Sequence, residues 1–205
     1  HVVVAWTYWQ EVYGGWSEDA EKSLTESEQY SGQALQLNPD HADALAQAGT
    51  GYVMRHNTDK AMEYSRRAIE LEPGNAENQA LRAFACIFSG DYEQARVHEQ
   101  YMRRLCPVLP NWYYLILGQI EQLDGDLDQA IAIYKQATAV EAEATLCRFY
   151  LDHALMLKGD TSAAQKVADE IHALDSSANG SGLARAVSKD AAIRDQFLQS
   201  LSQFG

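Results

Sequence analysis

Apolar residues recur along this chain at helical spacing, in runs of about a dozen residues separated by short polar breaks. One run extends from about Ala42 to Arg55 and the next from about Thr58 to Leu71. The breaks are rich in turn formers: "HNTD" at 56–59, "SGD" at 89–91, "DGD" at 124–126 and "KGD" at 158–160. Glycine there suits a left-handed helix end, and the Asp or Asn that follows suits the next N-cap. No alternating run bounded by turn signals marks a strand. The pattern predicts an all-α chain built from helix pairs.

The pairs repeat. "ALQLNPDHAD" at 34–43 and "AIELEPGNAE" at 68–77 share a shape, and Pro39, Pro73 and Pro107 are evenly spaced, 34 residues apart (73 minus 39, 107 minus 73). A proline bars the helical region to the residue before it, so each one closes a pair on schedule. Taking Ala42 as position 1, positions 8, 20, 27 and 32 hold Gly49, Ala61, Ala68 and Pro73. The row from Ala76 holds Ala83, Ala95, Met102 and Pro107; the row from Asn111 holds Gly118, Ala130, Ala137 and Ala142. A last row from Thr145 holds Asp152, Ala164, Ile171 and Ser176. Small residues at 8 and 20 allow the paired helices to approach closely. No pair can bury its apolar face alone; a stack of pairs can.

Gly at 8, Ala at 20 and 27 and Pro at 32 on a 34-residue period resemble the tetratricopeptide repeat. The resemblance implies a right-handed superhelix of antiparallel helix pairs. It divides residues 1–205 into one array: a degenerate first repeat at 1–41, repeats at 42–75, 76–110, 111–144 and 145–178, and a C-terminal capping helix at 183–205. In the first repeat Ser17 is placed as an N-cap, with Glu18 and Asp19 in the acidic first turn. "SSANGSG" at 176–182 breaks the array, and Ile193, Phe197, Leu198 and Leu201 fall on one face of the capping helix. "YGGWSEDAEKSL", "ALQLNPDHADA" and "SKDAAIRDQFLQSL" also resemble the C-terminal repeat region of bacterial proteins in which a class III adenylate/guanylate cyclase or a winged-helix domain precedes the repeats.

Acidic residues outnumber basic ones 29 to 16, for a net charge of -13. Phosphate backbones are repelled by such a chain, so a basic partner or a small ligand is expected rather than nucleic acid. The longest apolar runs, "VVVAW" and "WYYLIL", are too short to cross a bilayer. Cys86, Cys106 and Cys147 show neither a C-x-x-C nor a zinc spacing and read as free thiols in the reducing cytoplasm. The opening "HVVVAWTYW" has no signal peptide and no initiating Met, which reads as a fragment of a longer protein, with His1 as a tag remnant.

Catalytic signatures fail. "HEQYM" at 98–102 begins like a zinc-binding helix, but Met102 stands where the second His is needed, and His98 and Glu99 read as surface residues. Asp152 and His153 are adjacent on a helix and do not face each other. Neither a nucleophile elbow nor a phosphate-binding loop is present. No metal and no cofactor is expected, and the chain reads as noncatalytic.

The resemblance places positions 2, 5, 9, 12 and 13 of each first helix on a concave binding face. These are Asp43, Ala46, Thr50, Val53 and Met54; Glu77, Ala80, Phe84, Ile87 and Phe88; Trp112, Leu115, Gln119, Gln122 and Leu123; and Leu146, Phe149, His153, Met156 and Leu157. The lysines and asparagines with which chaperone-binding relatives clamp a carboxylate are missing there. The candidate contact residues are Phe84, Phe88, Trp112, Leu115, Gln119, Phe149 and His153. Apolar residues at this spacing also serve as core, the reading favoured for Val53, Ile87 and Leu123. Trp6, Trp9 and Trp16 crowd the first repeat, as core or as an interface with an upstream domain. Three functions fit: a protein-interaction or regulatory module of a larger bacterial signalling protein, a cyclase among them; a sensor of a small ligand or short peptide in the aromatic groove; and a module that forms a homodimer.

Overall fold

A computed structural model describes residues 1–14, 17–141 and 144–174. The expected capping helix at 183–205, the linker at 176–182 and Trp16 lie outside the described residues. Among those described there are ten helices: α1 Val2–Tyr13, α2 Ala20–Leu37, α3 Ala42–Met54, α4 Thr58–Leu71, α5 Ala76–Ser89, α6 Tyr92–Leu105, α7 Tyr113–Leu123, α8 Leu127–Val140, α9 Thr145–Lys158 and α10 Thr161–Leu174. They pair α1 with α2, α3 with α4 and so on, and each second helix also packs on the first helix of the next pair.

Local chemistry sets the boundaries. Asn57, Asn75, Asp91 and Asp126 accept hydrogen bonds from first-turn backbone N–H groups of α4, α5, α6 and α8, and Asp160 does so for α10. Gly90, Gly125 and Gly159 supply the left-handed backbone of the tight turns between paired helices, with φ of 82°, 84° and 83°. Ahead of the prolines, Asn38, Glu72 and Cys106 leave the helical region, with φ of -145°, -132° and -129°. Glu141, with φ of -133°, also leaves it, although no proline follows in the sequence. One expected cap is corrected. Helix α2 starts at Ala20 and is capped by Asp19, while Ser17 lies outside it with its hydroxyl 2.8 Å from that of Ser23.

The small residues mark the tightest crossings. Ala61, Ala83, Ala95, Ala130 and Ala164 are buried. A β-carbon on Gly118 would lie 2.2 Å from Cε1 of Tyr134, a fully buried ring of α8. One apolar core runs from Trp9 and Val12 in α1 to Val167 and Ile171 in α10. It takes in Val53, Met54 and Ile87, with Leu123 packed at its edge.

Candidate binding groove

The first helices α1, α3, α5, α7 and α9 contact one another in succession and form the inner layer of the array. Tyr13, at the end of α1, closes this layer. Its hydroxyl lies 3.2 Å from that of Tyr150 in α9 and accepts a hydrogen bond from Gln119 Nε2 in α7 at 3.2 Å. The ring of Phe84 in α5 meets Tyr13 edge-on at 5.5 Å and Trp9 at 5.6 Å. Burial pushes the Tyr13 phenol up to about 12 and holds those of Tyr134 and Tyr150 far above the usual range, so the network is uncharged.

This closure takes most of the candidate contact residues into the core. Phe84, Leu115, Gln119, Phe149 and His153 are buried, each no more than 6% exposed. Their positions do face the inner layer, but α1 and neighbouring first helices cover most of it. Phe88 is partly buried, 4.6 Å from Phe84. Trp112 is partly buried at the start of α7, edge-on to Tyr113 at 4.7 Å. His98 and Glu99 are buried rather than on the surface, because their face of α6 turns onto α5: His98 Nδ1 lies 2.8 Å from Gln79 Oε1. Asp152 and His153 are both buried, and Gln122 Nε2 donates to His153 Nδ1 at 2.8 Å. Burial drives the Asp152 carboxyl up to about 7 and the His153 imidazole down to about 4.

What stays open is a groove between the exposed side of α1 and the N-terminal turns of α3, α5, α7 and α9. One end is a cleft of about 290 Å³ bounded by Trp6, Asp43, Gln47, Glu77, Asn78 and Leu81. The other, of about 270 Å³, is bounded by Trp6, Gln10, Trp112, Leu115, Glu141 and Leu146. A narrow apolar slot floored by Trp9, Tyr13, Leu81 and Leu115 joins them, and Trp6 borders all three. Behind the walls lie buried polar atoms with no hydrogen-bond partner among the described residues: Trp9 Nε1, Gln47 Nε2, both amide atoms of Asn78, and Asn111 Oδ1. Each such atom costs about 1–3 kcal/mol while unmatched.

Trp112 and Leu115 are the sequence-derived candidates that border this groove. Gln47, Asn78 and Leu81 escape a reading of the sequence alone. Asn78 carries one signal, a polar residue where Ala44 stands one row earlier.

Chemistry of other kinds finds little footing. Burial raises the Cys86 thiol to about 11 and the Cys147 thiol to about 12, away from reactivity. Among the described residues no cluster of three His, Cys, Asp or Glu side chains could hold a metal ion, and no helix is long and apolar enough to cross a membrane.

The sequence model of the tetratricopeptide repeat matches residues 113–143, the α7–α8 pair. A thermophilic TPR protein of Thermus thermophilus superposes with a TM-score of 0.69 at 17% identity, over 97% of this chain and 99% of that one. The chain has the tetratricopeptide-repeat fold. YrrB, described as a TPR protein with an unusual peptide-binding site, matches 77% of this chain and 81% of its own at a TM-score of 0.54 and 16% identity. In sequence, the array is 36% identical over 63 residues to the type IV pilus assembly protein PilF of Pseudomonas aeruginosa. That stretch is 31% of this chain and 24% of PilF. Such arrays are in general noncatalytic scaffolds for protein–protein interaction.

Proposed function

We propose that this chain is an interaction module that holds an extended segment of a partner protein in the groove beside Trp6 and Trp112. The observation that carries the reading is the pairing of apolar walls with buried amide and indole groups that find no partner among the described residues. An extended backbone offers N–H and C=O groups to such amides, and its side chains fill the apolar slot between them. The peptide-binding site named for YrrB, on the same fold, supports this class of ligand. The module's place in a larger bacterial signalling protein, a cyclase among them, is the finer form of the proposal and rests on the sequence resemblance alone.

The test is selection of peptides from a random displayed library on the full chain. Leu146→Glu, at the groove wall, is expected to weaken the selected peptides at least tenfold. Val108→Glu, at an exposed residue before α7, is expected to leave them unchanged. Peptides indifferent to Leu146→Glu and to Trp6→Ala would contradict the assignment.

A further inference from the structure

We infer that the cleft where α1 meets α3 and α5 is a subsite for a lysine or arginine side chain carried by the partner segment. The inference rests on the peptide-binding reading and names the residue type bound at one end of the groove.

Asp43 stands exposed at the rim and Glu77 half-buried beside it, each in the first turn of its helix. The helix dipole favours acids at such positions, which accounts for their residue type alone. It does not account for the burial of Glu77 or for the groups next to it. Asn78 is fully buried, and neither its amide oxygen nor its amide nitrogen has a partner among the described residues. Gln47, also buried, leaves Nε2 without one among those residues. Trp6 forms the facing wall, and indole is the aromatic surface that best attracts a cation. Among the described residues, no lysine or arginine borders the cleft.

A cationic head reaching in would meet two carboxylates and an indole wall, with the Asn78 amide buried beneath them, while its aliphatic stem lay against Leu81. Such a head would also relieve an existing conflict. Burial, reinforced by the charge of Asp43, raises the Glu77 carboxyl above its ordinary range, although Tyr113 and Trp112 donate hydrogen bonds to it. Two carboxylates border this end, Asp43 and Glu77, against Glu141 alone at the other. The residues in the same row position further along are Trp112 and Leu146.

Calorimetric titration of the full chain with three probes tests the inference: a blocked octapeptide alternating Lys and Ala, its Gln-for-Lys counterpart, and spermidine. The Lys peptide is expected to bind at least tenfold more tightly than the Gln peptide. Asp43→Asn with Glu77→Gln should reduce that preference below twofold. Glu63→Gln with Glu93→Gln, an equal charge change at exposed sites on outer helices, should leave it intact. Equal loss in both double variants would assign the preference to diffuse charge and overturn the subsite. Equal binding of both peptides, each weakened by Trp6→Ala, would keep the groove and overturn the subsite. Spermidine binding as tightly as the Lys peptide would overturn the peptide-borne source. Failure of the Lys peptide to bind would overturn the subsite, with library-selected peptides still reporting on the groove.

Discussion

The hydroxyl of Tyr13 lies 3.2 Å from that of Tyr150, joining the first helix of the first pair to the first helix of the fifth across 137 residues of sequence. Stacked repeats ordinarily contact only their neighbours. Here one side chain also reaches α5 and α7, so the inner layer closes on itself. Tyr13→Phe keeps the ring on Phe84 but removes the acceptor for Gln119 Nε2. The variant is expected to lose roughly 1–3 kcal/mol in denaturant unfolding, the cost of unmatched buried polar groups. Unchanged stability would show that the hydroxyl contributes nothing to closure.

Gly118 gives a second expectation. An added methyl would fall within 2.7 Å of three atoms of the Tyr134 ring, and that ring is fully buried. Gly118→Ala should therefore destabilise by about 1–3 kcal/mol through overpacking. Gly32→Ala, in α2 with open space around it, should instead stabilise by roughly 0.5–1 kcal/mol. A melting comparison of the two variants checks the opposite signs.

The contrast between these residues shows what is legible in the sequence. Pro39, Pro73 and Pro107, with the turn glycines, act within a few residues of themselves, so the helix boundaries follow from local rules. Gly118 is legible as a close crossing because it recurs at a repeat position. That Phe84 lies under Tyr13, far away in sequence, is not, because periodicity assigns a face to a residue and not the residue that covers it. His98 and Glu99 look exposed in the sequence for a related reason. A polar pair on a helix carries no local sign of burial, and only the Gln79 contact reveals it. The groove at Trp6 depends on how α1 leans on four other helices, and its amides at Gln47 and Asn78 stand out only once their surroundings are known.

Asp152 sets a pH dependence of unusual sign. Burial raises its carboxyl from 3.8 to about 7. The folded state thus holds a proton that the unfolded chain has released, and this group's contribution to stability is full below about pH 4 and lost as the pH rises to about 7. His98 and His153, held near 4 by burial, act oppositely, their contribution being lost as pH falls from 6.5 toward 4. They cancel in a comparison of the parent with Asp152→Asn. The variant's advantage should grow from about pH 4 to about pH 7 and reach roughly 1–4 kcal/mol above it, since each tenfold change in proton affinity is worth about 1.4 kcal/mol. Denaturant midpoints at about pH 4.5 and about pH 8, on either side of most of this range, measure it. A constant difference would contradict the assignment.

Phe84 and Trp112, both candidates from the sequence, should separate. Phe84→Ala opens a cavity under Trp9 and Tyr13 and is expected to cost about 3–5 kcal/mol. Trp112→Ala, at a partly open wall, should cost less while weakening groove-selected peptides at least tenfold. Thermal melts and affinities of the two variants decide the order, and a reversed order would make Trp112 the core residue.

The groove assignment is tested most directly by mapping a library-selected peptide onto the ¹⁵N-labelled chain by NMR. The predicted result is a shift of the Trp6 and Trp112 indole N–H signals, the Asn78 side-chain amide, and backbone amides of α1 and the first turns of α3, α5 and α7, with α4, α6 and α8 quiet. Shifts confined to those outer helices, with both indole signals unmoved, would contradict it.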